Sequence, residues 1–218
     1  MKLRLHNYWR SSASHRVRIA LGLKRLEWEY VVVHILRDGG EQHRPDYVAK
    51  NPMEQVPTLE VVDDDGGVRL LQQSLAIVEY LDERWPAPPL LPRDPYLRAR
   101  SRALAEIVNS GIQPLQNLSV TNKVKALGGD ERTWAQGFIA HGLSAYARLA
   151  ADTAGRFSVG DAPTLADLAL VPQLHSARRF GVPLDDFGLL TRIEAACNEL
   201  PAFTAAEPAK QPDAQPPA

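Results

Sequence analysis

Two adjacent serines, Ser11 and Ser12, stand in NYWRSSASHRVRIAL (7–21), where a strand pattern gives way to a helical one. The first-turn amides of a helix have no partner inside it and together carry roughly half a positive charge. Hydroxyls and N–H groups converging there can hold an anion and pull a thiol from a pKa of about 8.5 toward neutrality. Serine is also a favoured helix cap, so the pair has a plain structural reading beside the chemical one. Cys197, the one cysteine, falls in the amphipathic stretch RIEAACNEL and reads as core rather than nucleophile. A thiol activated at Ser11 and Ser12 must therefore arrive as a ligand.

Two further elements describe that ligand. In QVP (55–57) a proline stands at the entry to a strand, compatible with a cis bond that turns the preceding backbone outward to pair with an extended peptide. In QQS (72–74), Ser74 is the expected cap of a second helix, whose N-terminus suits a carboxylate. Thiol, backbone and terminal carboxylate together make the outline of glutathione.

Other chemistries lack their signatures. GxGxxG, GxxxxGK[ST], HExxH, GxSxG and CxxC are all absent, which removes the dinucleotide, phosphate-loop, zinc-protease, hydrolase-elbow and dithiol readings. His6, His15, His34, His43, His141 and His175 never fall at i, i+3 or i, i+4 on a common helix, so no metal site is expected. With 25 basic and 26 acidic residues the chain has no global field to recruit nucleic acid or a membrane surface. No apolar run approaches the ~20 residues that span a bilayer, and MKLRLHNYWR lacks a signal-peptide core, so a reducing cytoplasm is the expected setting.

The elements that must position these residues change character midway. Leu3 and Leu5 alternate with Lys2, Arg4 and His6 as in a half-buried strand; Ala13, Val17, Ala20 and Leu21 share one helical face; and YVVV (30–33) reads as a buried strand. VPTLEVV (56–62), DDDGG (63–67) and VRLL (68–71) read as a β-hairpin, followed by a helix with Leu75, Val78, Leu81 and Trp85 on its apolar side. This order predicts a thioredoxin-like α/β domain over 1–85. After the Pro-rich linker 86–95, an all-α helical bundle is expected over 96–206, then a poorly ordered Pro-rich tail, 207–218. Leu97, Leu104 and Val108 repeat at helical spacing, as do Trp134, Phe138, Ala145 and Leu149, and Ile193 with Ala196. TLAD (164–167) reads as a structural capping motif with Asp167 in place of the usual Glu.

The segments SSASHRVRIAL, NPMEQVPTLEV, QQSLAIVEYLDE, GIQPLQNLSV, VGDAPTLADLALVPQ and QPDA closely resemble the zeta class of glutathione transferases, which includes maleylacetoacetate and maleylpyruvate isomerases. The resemblance covers nearly the whole chain and implies a glutathione transferase fold. One departure stands out: Ala13 occupies a position where the family usually has Cys. By the resemblance, Ser11 and Ser12 lie by the glutathione sulfur, Gln42 and Val56 hold its backbone, and Gln73 with Ser74 hold its γ-glutamyl end. Gln113 and Asn117 approach from the helical domain. Arg10 and Arg178 or Arg179, the last in the better-fitting position, receive the carboxylates of a small dicarboxylate substrate. Arg16 and Arg18 read as structural.

The reaction so implied is reversible addition of the glutathione thiolate to a cis double bond, rotation and elimination, with glutathione regenerated. Maleylacetoacetate is preferred as substrate because GIQPLQNLSV has the form typical of that isomerase, while SARRF and SHR also suit maleylpyruvate. A general transferase for small electrophiles or halogenated acids, and a non-catalytic interaction module, are the competing readings. A homodimer is the family's usual assembly.

Overall fold

The alternation around Leu3 and Leu5 does build a strand, β1 (Lys2–Asn7), with both leucines buried. In the computed structural model, which describes residues 1–215, β1 runs parallel to β2 (Glu29–Val32) and antiparallel to β3 (Thr58–Val62). β3 in turn pairs antiparallel with β4 (Val68–Gln72), giving the order β2-β1-β3-β4. Register places Leu5 opposite Leu59 and Leu3 opposite Val61, so alternate residues of the two central strands form one apolar face. The Asp63–Gly67 turn closes the hairpin through Asp63 N–H to the Gly67 carbonyl at 2.8 Å, and Gly66 takes φ 87°, which favours glycine.

Helix α1 (Ser12–Leu23) buries Val17, Ile19, Ala20 and Leu21. It packs against α3 (Ser74–Arg84), which contributes Ile77, Val78 and Leu81. The short α2 (Pro45–Val48) precedes the hairpin. These elements form the expected thioredoxin-like unit.

YVVV behaves differently from its sequence signal. β2 is an edge strand, and Val32 is 41% exposed. β-branched residues suit any pleated surface, so composition marks a strand without saying how many neighbours cover it.

The chain forms two units, one of residues 1–88 with the segment starting at Pro201, the other Pro89–Leu200. Residues 201–206, expected in the helical bundle, belong to the first unit as α9 (Pro201–Ala205), which packs on α1. Gly22 permits this approach, since a Cβ there would stand 3.1 Å from Ala202 Cβ. Within the expected tail, Pro208–Lys210 forms a 3-10 turn and Asp213 is hydrogen-bonded; 216–218 lie outside the described residues.

The second unit is helical. α4 (Pro95–Glu106), capped by Asp94, runs into a π-helical turn at Ile107–Ile112; α5 (Leu118–Ala126), α6 (Glu131–Ala150), α7 (Leu165–Phe180) and α8 (Gly188–Asn198) follow. α6 buries Ala135, Ile139, Leu143, Tyr146 and Ala150 rather than the stripe through Trp134 and Leu149, which are 38% and 43% exposed. Small residues decide this. A Cβ on Gly142 would meet Ile112 Cγ1 at 2.3 Å, so the close contact with the π turn runs along the Ala/Gly face. Cys197 is fully buried in α8, and burial raises its thiol pKa strongly, as a core residue requires.

Candidate active site

β1 ends at Asn7, and the chain reverses through a turn closed by Ser11 N–H to the Tyr8 carbonyl at 3.0 Å. Ser11 then caps α1 with extended backbone, its Oγ accepting from Ser14 N–H at 3.1 Å. That bond occupies a lone pair of the hydroxyl and leaves its proton to donate outward. Ser12 begins the helix, and among the described residues neither its hydroxyl nor the Ser12 and Ala13 amides has a partner. The first turn holds no acidic residue. Two hydroxyls and two open amides at the positive end of a twelve-residue helix can stabilise an anion. The cap reading and the chemical reading of the serines are therefore both realised, in part by different atoms.

The peptide between Val56 and Pro57 is cis, as the QVP motif allows. Val56 stands outside β3, and among the described residues its N–H and carbonyl pair with nothing, leaving extended backbone to be matched. Gln42 lies in the 3-10 turn Glu41–His43, buried, with its Oε1 unpartnered among the described residues. A buried amide oxygen without a donor is costly unless a ligand or water supplies one. Gly40 makes the turn possible: its φ is 106°, and a Cβ there would meet Gln42 Nε2 at 2.4 Å.

At α3 the structure corrects the expected cap. Gln73, not Ser74, holds the cap position, with φ 67° and ψ 110° and no side-chain capping bond, because β4 ends at Gln72 and one residue must turn the chain into the helix. A non-glycine residue at such φ is held there by its surroundings. Ser74 Oγ instead accepts from Arg16 Nη1 at 3.1 Å. Arg16 is fully buried, so a cation stands against the α3 N-terminus and adds to its attraction for a carboxylate. Sequence reasoning treated Arg16 as structural scaffolding only; its spacing from Ser11 along α1 carries no sign of a partner 58 residues away.

Arg10 is partly exposed, its guanidinium 5.8 Å from the Trp9 ring centre, and it forms no ion pair among the described residues. The second unit holds the remaining candidates. Gln113 follows the π turn, its N–H reaching the Val108 carbonyl at 2.8 Å. π turns of this kind recur at functional sites. Asn117 occupies the cap position of α5, yet its side chain makes no capping bond. Gln116, between them, is locked by reciprocal amide bonds to Gln173 of 2.9 and 3.1 Å, which anchors this segment. The two arginines of SARRF part ways. Arg178 forms a two-pronged pair with Glu194 at 2.6 and 2.5 Å, whereas the Arg179 guanidinium lies 4.3 Å from the Phe180 ring centre. Arg178, named as a substrate ligand, is thus engaged in a structural pair. Among the described residues, no cluster of His, Cys, Asp and Glu could hold a metal, and no helix is long and apolar enough to cross a membrane.

Residues 10–84 match the model of the glutathione S-transferase N-terminal domain. The maleylacetoacetate isomerase of Pseudomonas aeruginosa is 47% identical, with 97% of this chain and 98% of that protein covered. The maleylpyruvate isomerase of a Ralstonia species is also 47% identical, covering 97% and 99%. The crystal structure of maleylacetoacetate isomerase from Anaeromyxobacter dehalogenans, with GSH in its active site, superposes at a TM-score of 0.90 with 53% identity over 98% of both chains. A further structure of that protein holds dicarboxyethyl glutathione and citrate in the active site.

Proposed function

This chain belongs to the glutathione transferase family, in the zeta class whose motifs its sequence carries, and from that premise we propose that it is a glutathione-dependent cis–trans isomerase. The proposed substrate is maleylacetoacetate and the product fumarylacetoacetate. The observation that carries this reading is the start of α1, where the Ser11 hydroxyl is oriented by the Ser14 amide beside the open Ser12 hydroxyl and two open amides.

Glutathione supplies the thiolate whose reversible addition to the cis double bond lets that bond rotate. The chain's own residues do the rest. Ser11 and Ser12, with the helix amides, stabilise the thiolate. Gln42 Oε1 and the Val56 backbone accept and donate to the tripeptide backbone, and Gln73 with Ser74, above buried Arg16, receives the γ-glutamyl end. Ala13 offers no thiol, so no protein cysteine takes part at this point.

Arg10 and Arg179 bind the substrate's carboxylates; preference for Arg179 over Arg178 follows the resemblance, in which Arg179 has the better-fitting position. Gln113 and Asn117 complete the glutathione-binding set that the resemblance implies. The setting is cytoplasmic and the assembly a homodimer, as in the class. The equal identity to a maleylpyruvate isomerase makes maleylpyruvate the second candidate substrate. Incubating the protein with glutathione and each maleyl ketone, a chlorinated acid and a chlorinated aromatic separates the readings. The expected result is fastest loss of maleylacetoacetate with no net glutathione consumed. Conjugates with the chlorinated compounds alone would mark a transferase, and absence of glutathione binding a non-catalytic module.

A further inference from the structure

Three backbone atoms of the turn that delivers Ser11 are tied down from outside it. The Tyr8 carbonyl accepts from Arg18 Nη1 at 3.4 Å and the Trp9 carbonyl from Arg18 Nη2 at 3.0 Å. On the other side the Trp9 N–H donates to Asp213 Oδ2 at 3.1 Å, while Tyr30 donates its hydroxyl proton to Asp213 Oδ1 at 2.5 Å. Arg18 is buried and also donates to the Ala206 carbonyl at 3.1 and 3.2 Å and to Asn7 Oδ1 at 3.1 Å. The segment 206–213 therefore closes a loop of contacts from Arg18 through Ala206 to Asp213 and back to Trp9. Burial lowers the Arg18 pKa to about 10, so it stays charged at neutral pH and faces Asp213 across the turn as an opposite charge.

We propose that Asp213 is a positioning residue: it fixes the Tyr8–Ser11 turn, and through it the direction of the Ser11 hydroxyl and the open α1 amides. The physical reason is geometric. Trp9 N–H is a donor of the turn that finds its acceptor in neither β1 nor α1, and the carboxylate that receives it is itself held at its other oxygen by Tyr30. Donors aimed at an anion lose much of their effect when displaced by even an ångström, so a clamp one residue removed from Arg10 and two from Ser11 acts on thiol activation. This inference rests on the proposed glutathione-dependent reaction.

The test compares the full chain with Asp213→Ala and Asp213→Asn, following the thiolate absorbance of bound glutathione against pH, kcat and KM for glutathione, and Tm. Asp213→Ala should move the titration of the bound thiol upward by about one unit and lower kcat/KM for glutathione about tenfold. Asp213→Asn, whose amide oxygen can still accept from Trp9 N–H, should recover most of both. An unchanged thiol titration in Asp213→Ala overturns the proposal. So does equal loss in the Ala and Asn variants, or a loss that merely follows the folded fraction read from Tm. If the unmodified chain shows no bound-thiolate signal, the functional reading itself fails. Amide exchange at Ser11–Ser14 then judges the clamp: faster exchange in Asp213→Ala supports it, and unchanged exchange overturns it.

Discussion

Two helix starts in this chain carry hydroxyl caps and end in opposite states. At α7 the cap Thr164 is buried and every nearby donor is met: Asp167 Oδ2 accepts from Thr164 N–H at 2.8 Å and from its hydroxyl at 3.1 Å, while Oδ1 accepts from Ser158 N–H at 2.8 Å. At α1 the cap Ser11 meets one amide and leaves two amides and the Ser12 hydroxyl open, with no acidic side chain in the turn. The internal acid makes the difference. Where the chain supplies its own carboxylate the helix start is a joint; where it withholds one, the start can take an external anion.

The comparison predicts that lesions at α7 read out as stability and lesions at α1 as activity. Asp167→Ala, which strands Ser158 and Thr164 amides in a buried site, should cost about 3 kcal/mol or more by denaturant unfolding, with activity per folded molecule retained. Ser11→Ala should lower kcat/KM for glutathione by about a hundredfold, with about 1 kcal/mol of stability lost with the cap. Ser12→Ala, which removes a donor and no cap, should lower it about tenfold and leave unfolding unchanged. If Ser12→Ala is the more damaging, the oriented-cap account of Ser11 is wrong.

The same division sharpens at SARRF. Arg179→Ala should raise KM for a dicarboxylate about tenfold and leave a neutral thiol acceptor unaffected, whereas Arg178→Ala should lower stability by releasing the partly buried Glu194. Equal losses on both acceptors in Arg179→Ala would count against carboxylate recognition.

The smallest effect belongs to a fully engaged cluster on the sheet. Burial of Glu60 opposes its ionisation, but His6 at 3.0 Å, Arg4 at 2.8 Å and Lys50 at 3.5 Å overcome this and hold its pKa at about 2. A carboxylate depressed on folding stabilises fully above its unfolded pKa of about 4.3, and that contribution is lost as pH falls toward 2. The unfolding free energies of the unmodified protein and Glu60→Gln should therefore converge as pH drops through this window. A difference that stays constant would refute the cluster's role.

Much of the first unit was legible because its signals are local. Alternation set β1, the DDDGG turn set the hairpin, and serine before a helical face marked the start of α1. Cys197 as core and TLAD as a cap were legible for the same reason. The α6 face was misread because large apolar residues mark a surface stripe there while Gly142 and Ala135 make the buried contact. Periodicity weighs hydrophobicity and is blind to close approach.

What the sequence by itself determined is the order of elements, the pairing of Ser11 with Ser12 at a helix start, and the cis-compatible Val56–Pro57 step, since each depends on neighbours within a few residues. Only the tertiary structure decided that Arg16 stands under Ser74, that Arg178 pairs with Glu194, and that Asp213 holds a turn 204 positions away. A charged side chain looks the same in the sequence whether water, a carboxylate or a backbone amide surrounds it. Its role is set by burial and by partners that folding brings from distant parts of the chain.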